Sequence, residues 1–131
     1  MWKETNFQLP KISLGSLSTL DIRGKTAVVS LLTSWHPITN DYLKIMDELS
    51  DEKYNVYTIL EQEKDTIAKN VKRRGGYGLK IYADQDGEML KDIDMIEIPT
   101  TWIVDRFGQV VKTKVGEIDY QQLIDEISKV N

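Results

Sequence analysis

The residues most able to do chemistry lie in Ser34-Trp35-His36-Pro37-Ile38-Thr39, which holds the chain's single histidine. His36 and Thr39 are three positions apart, so on a helix their side chains share a face. An imidazole there could act as a general base toward the Thr39 hydroxyl or a bound water. The plain alternative is an exposed residue capping a helix. The chain has no cysteine, which excludes disulfides, thiolate zinc sites, iron–sulfur clusters and thiol–disulfide exchange. One histidine cannot build a multi-histidine metal site, so no metal ligands and no catalytic residues are assigned, and no cofactor is implied.

Other signals have simpler explanations. Lys72-Arg73-Arg74-Gly75-Gly76-Tyr77-Gly78 could form an anion patch, but cations and glycines also end helices. No Lys-Ser/Thr pair follows the glycines, so this is not a P-loop. Asp84-Gln85-Asp86-Gly87-Glu88 resembles part of a calcium loop yet lacks its further ligands, and reads as a turn. The Glu61-to-Asp65 run reads as a solvated loop and helix start. Trp35 either contacts a partner or covers the core edge, whereas Trp102 sits in an alternating strand and reads as a packing residue.

The elements that must position these residues belong to a chain of 131 residues with 17 Lys+Arg against 21 Asp+Glu, a net charge of −4. This length suits one domain over 1–131, given roughly 100–200 residues per domain. The small negative charge argues against nucleic acid. No apolar stretch approaches the length of a membrane helix and no secretory signal opens the chain, so it reads as soluble. As written it would be cytoplasmic, or extracytoplasmic if a signal or anchor was trimmed; the compartment and oligomeric state stay open.

Lys25 to Leu32 is nearly continuous apolar sequence and suits a central strand covered on both faces. Tyr42, Ile45, Met46 and Leu49 predict a helix from about Pro37 to Leu49, with proline allowed in its first turn. Asn55 to Leu60 predicts a second strand, and Asp65 to Arg74 a helix stopped by Gly75-Gly76. This order indicates parallel βαβ units. Leu79 to Ala83 reads as a short strand. Thr100 to Val104 and Gln109 to Lys114 form a hairpin around Asp105-Arg106-Phe107-Gly108, which makes the second half antiparallel. Tyr120, Leu123, Ile124 and Ile127 mark a last helix, with Asp119 as N-cap and Gln122 as its capping-box partner. The outcome is an α/β fold: a central mixed sheet, parallel first and a hairpin last, flanked by helices in a thioredoxin-like architecture.

Phe7-Gln8-Leu9-Pro10, Arg23-Gly24-Lys25 leading into the apolar strand, Ser34-Trp35, and Ile98-Pro99-Thr100-Thr101-Trp102-Ile103-Val104-Asp105-Arg106-Phe107-Gly108 together resemble the thioredoxin-like redoxins of the cytochrome-c-maturation, TlpA-like branch. The resemblance runs from about Phe7 to the last helix, with 1–24 as that branch's N-terminal extension. In the family the tryptophan precedes Cys-x-x-Cys. Here Trp35 and Pro37 match, while His36 stands at the attacking position and Thr39 at the resolving one, so family catalysis transfers to no residue. The resemblance also implies a cis bond before Pro99, facing the loop and offering strand-like hydrogen bonds to an extended peptide.

The expected function is therefore a redox-inactive, protein- or peptide-binding role for the former active-site loop, Trp35, His36, Pro37, Ile38 and Thr39. The contact residues would be Trp35, His36, Ile98, Pro99 and Thr100. The alternatives are a non-redox enzyme using His36 in acid–base chemistry, or a purely structural module, such as one domain of a longer secreted or tethered protein.

Overall fold

The computed structural model describes residues 1–52, 54–91, 93 and 97–130. Its strands are β1 (Lys3–Gln8), β2 (Ser13–Leu14), β3 (Leu17–Ser18), β4 (Ala27–Leu32), β5 (Asn55–Glu61), β6 (Ile81–Asp84), β7 (Thr100–Val104) and β8 (Gln109–Val115); its helices are α1 (Thr39–Asp51), α2 (Asp65–Gly75) and α3 (Tyr120–Ser128). Among the described residues six strands form one mixed sheet in the order β1-β8-β7-β4-β5-β6, and β2-β3 form a separate small hairpin.

Strand β4 is buried along its whole length and central, as its apolar run predicts. It pairs in parallel with β5 and antiparallel with β7. Its side chains alternate: Val28 and Leu32 join a cluster with Tyr42, Leu43, Met46 and Leu49 of α1, Ala68 of α2, and Leu123 and Ile127 of α3. Val29 and Leu31 point the other way, toward Leu9, Leu14, Leu17, Ile22, Met89 and Trp102. The three helices therefore share one face. The expectation of a sheet flanked by helices is refined: the opposite face is covered by the hairpin, the 3-10 turns at Thr19–Ile22 and Glu88–Leu90, and extended chain. Two successive parallel crossovers moving the same way along a sheet must both be right-handed, which puts α1 and α2 on the same side.

Several boundaries move for local reasons. Helix α1 begins at Thr39 rather than Pro37, because Pro37 and Ile38 lie in a turn in which the Thr39 N–H donates to the His36 carbonyl at 3.1 Å. Strand β4 starts at Ala27, not Lys25. The strand expected over Leu79–Ala83 runs instead over Ile81–Asp84 and is parallel to β5, so the antiparallel half begins only at β7. The 1–24 extension contains β1, which pairs with β8 and completes the sheet edge. Helix α2 ends as read, with Gly76 left-handed (φ 65°) and the Tyr77 N–H donating to the Lys72 carbonyl at 3.2 Å. The Asp119 carboxylate caps α3 by accepting from the Gln122 N–H at 2.9 Å; among the described residues the Gln122 side chain makes no return bond.

The β7–β8 turn locks the N-terminal segment down. Its Arg106 and Gly108 carbonyls accept from the Gly24 and Leu9 N–H groups, both at 2.8 Å. Gly108 has φ +83°, a left-handed conformation that favours glycine; a Cβ there would also push against the Gln8 and Arg23 side chains. Beneath it Trp102, 1% exposed, packs edge-to-face on Phe7 with ring centroids 5.4 Å apart. Trp102→Ala should cost about 3–5 kcal/mol by leaving a cavity. Phe107→Ala, at a side chain 62% exposed, should stay within about 0.5 kcal/mol. Urea midpoints of the two variants check the contrast.

Candidate functional site

The register of the sheet brings two distant segments together. Leu31 of β4 lies opposite Thr100 of β7, so the chain leaving β4 as Thr33-Ser34-Trp35-His36-Pro37-Ile38 emerges at the end of the sheet where Pro99 enters β7. The Ile98-Pro99 peptide bond is cis. The Pro99 carbonyl accepts from the Gly116 N–H at 2.8 Å, and the Thr100 hydroxyl donates to the Glu97 carbonyl. Pro99 and Thr100 are buried, Ile98 is half-buried, and among the described residues none hydrogen-bonds to the Ile98 backbone.

The loop places its side chains unequally. Trp35 is 75% exposed, a large apolar surface held in water. His36 is half-buried, its ring 6.2 Å from that of Trp35, and its Nδ1 accepts from the Ile38 N–H at 3.3 Å. Thr39 is buried, and its hydroxyl donates to the Thr33 carbonyl at 2.7 Å, tying the start of α1 to the exit of β4. The helix-face proximity of His36 and Thr39 therefore does not form: His36 precedes the helix and Thr39 points inward. Among the described residues no carboxylate bonds to His36. Pro37 is exposed and Ile38 half-buried.

Beside the loop, Ile38, Asp41, Tyr42, Ile45, Glu117 and Ile118 line a groove of about 160 Å³ between α1 and the β8–α3 connection. The Tyr42 hydroxyl hydrogen-bonds to Thr101 under it, and burial pushes the phenol's pKa up to about 12. Ser30 donates to Met46 Sδ at 3.2 Å in the same layer. Thr58, Ser30 and Thr101 stand in register across β5, β4 and β7, so three buried hydroxyls cross the sheet below the loop.

Sequence reasoning missed the carboxylates behind the loop. The Glu61-to-Asp65 run is not simply a solvated stretch. Glu63 Oε1 accepts from the Ser34 N–H at 2.8 Å and from the Ser34 hydroxyl at 2.9 Å, tying the β5–α2 connection to the start of the loop. Glu61, the last residue of β5, is 5% exposed and lies in register with buried Asp84 of β6. Asp84 in turn accepts from the Glu88 and Met89 N–H groups at 2.9 and 2.8 Å, so the turn that begins there is capped by its own strand residue. The signal available in the sequence was the strand's apolar run continuing to Leu60 directly into Glu61.

Burial raises the Glu61 pKa to about 9, and the neighbouring Asp84 carboxylate adds to the rise. The folded-state value thus lies above the ordinary 4.5. Such a group contributes stability that is full below its unfolded value and is lost as pH climbs through that of the folded state. Unfolding midpoints should therefore fall between about pH 4.5 and 9. Glu61→Gln should flatten that slope and stabilise the protein at pH 8, measured by urea denaturation across the range. Glu63→Gln should cost about 1–2 kcal/mol by weakening the bonds to Ser34, and hydrogen exchange should show a faster Ser34 amide.

The AhpC/TSA family profile matches residues 3–113. Thiol-disulfide oxidoreductase ResA of Bacillus thuringiensis subsp. konkukian is 22% identical over 129 residues, covering 95% of this chain and 75% of the relative. Thiol:disulfide interchange protein DsbE of Pseudomonas aeruginosa is 28% identical over 137 residues, covering 92% and 74%. Among solved structures, the exposed lipoprotein thioredoxin of Streptococcus pneumoniae superposes with a TM-score of 0.78 at 22% identity, covering 96% of this chain and all of that one. StoA of Bacillus subtilis gives 0.73 at 21%, covering 96% and 98%. These likenesses show a thioredoxin-like fold. No helix among the described residues is long and apolar enough to cross a membrane.

Proposed function

The chain belongs to the AhpC/TSA family, and we propose that within it this member binds an extended peptide or protein segment on the face where its relatives place thiol chemistry. It has no cysteine and so performs no thiol–disulfide exchange itself. The observation that carries the reading is Trp35, three-quarters exposed just past β4, at the same end of the central strands as the cis Ile98-Pro99 bond. Exposed tryptophans are costly to hold in water and recur as interface anchors.

A peptide laid along Ile98 would exchange backbone hydrogen bonds with it in strand-like fashion, while Trp35 and His36 close over one side. His36, whose Nδ1 accepts from the Ile38 N–H, would donate from Nε2 and so supply a polar contact beside the indole. Ile98, Pro99 and Thr100 would form the opposite wall. The groove between Ile38, Ile45 and Ile118 would receive an apolar side chain. Acid–base catalysis by His36 has less support, since Thr39 is committed to the Thr33 carbonyl and a general base needs its proton donor within hydrogen-bond reach.

Two measurements test the proposal. With dithiothreitol and insulin, the protein should not accelerate insulin reduction over the blank; turnover would refute redox inactivity. A pull-down from the native organism should recover a partner with the wild type and lose most of it with the Trp35→Ala, His36→Ala double variant, a truncation expected to cost about 2 kcal/mol or more at an anchor. Equal recovery by both would remove the binding face.

A further inference from the structure

We propose that the outer edge of β6 is a second docking site, which takes an extended acidic peptide by strand addition. The sheet has two edges, β1 and β6, and they are built differently. On β1 the register breaks between Glu4 and Phe7, and exposed Lys3 and Glu4 sit on the strand, the usual devices that blunt an edge. On β6 the register runs unbroken from Ile81 to Asp84. Its Ile81, Tyr82 and Ala83 are half-buried, and Asp84 is turned inward to its own backbone caps. This edge carries no bulge, proline or outward charge along its length.

The edge lies in a slot rather than on an open rim. A groove of about 560 Å³ follows it, walled on one side by the Gly15-Ser16 turn of the β2–β3 hairpin and on the other by Lys69 and Lys72 of α2. The walls come from opposite faces of the sheet, since Leu14 packs in one core cluster and Ala68 in the other. Four strand residues span about 13 Å, enough to align a short extended segment whose backbone would complete the ladder.

Charge selects the occupant. Lys69 is paired with Asp65 at 3.1 Å, while Lys72 and Lys80 have no ion pair among the described residues. Against them the groove offers Asp86, which leaves it cationic in a chain of net charge −4. An acidic segment with alternating apolar residues would set carboxylates against Lys72 and Lys80 and its apolar side chains against Ile81 and Ala83. The groove is separate from Trp35 and Pro99, so this site stands or falls independently of the proposed loop face.

The probe is a fluorescein-labelled Glu-Val-Glu-Val-Glu-Val peptide, followed by anisotropy on the full chain. Saturable binding is expected, weakening about tenfold in the Lys72→Glu, Lys80→Glu variant and about tenfold when alternate peptide nitrogens are methylated. Trp35→Ala should leave it unchanged. Hydrogen exchange should show new protection of amides in Ile81–Asp84 on binding, which locates the peptide even if the double variant is destabilised. Absence of saturation, equal binding of the Lys-for-Glu peptide, or indifference to methylation would each overturn the proposal. So would a concentration-dependent dimer that protects the same amides without peptide, which would give the edge to a second copy of the chain.

Discussion

Everything at the loop face depends on how β4 is held between β5 and β7. Because β4 is buried on both faces and paired on both edges, its register is over-determined: a slip by one residue would turn Val28 and Leu32 away from the helices and Val29 and Leu31 away from Trp102. That register sets Leu31 against Thr100 and thereby delivers Trp35 and Pro99, far apart in the chain, to the same end of the central strands. The loop needs no sulfur to keep its place. Thr39 donating to Thr33, Ile38 donating to His36, and Ser34 donating to Glu63 hold it from three directions.

The loss of cysteine consequently separates scaffold from chemistry. A thiolate at the start of α1 would draw on the unpaired N–H groups of the helix, whereas His36 stands ahead of the first turn and spends Nδ1 on the Ile38 N–H. The buried layer below remains polar, with Ser30, Thr58, Thr101 and Tyr42 gathered under the loop and Glu61 beside Asp84 at the ends of the neighbouring strands. Polar groups in such positions are costly to bury unless paired or neutral, which agrees with the high pKa of Glu61.

The two edges of the sheet continue the same logic. β1, added from the N-terminal segment and latched by the Gly108 turn, closes one side with a bulged, charged strand. β6 closes the other with an unbroken apolar one between walls from opposite faces. The core was therefore built to leave two unlike borders.

The amino-acid pattern by itself determined the order of elements from β4 to α3, the central place of β4, the hairpin at Asp105–Gly108, the C-terminal stop of α2, the N-cap of α3, and the absence of thiol chemistry. Each follows from local information: apolar runs, helical spacing, caps, turn glycines and residue counts. Tertiary structure alone decided that the N-terminal segment contributes an edge strand, that all three helices share one face, and that β6 joins in parallel. It also decided that Thr39 turns away from His36, and that Glu61 and Glu63 serve the interior and the loop instead of solvent. Pairing partners, handedness of crossovers and burial arise from contacts between residues distant in the chain. A carboxylate in a run of charges carries no mark of which neighbour it will meet until the strands have taken their places.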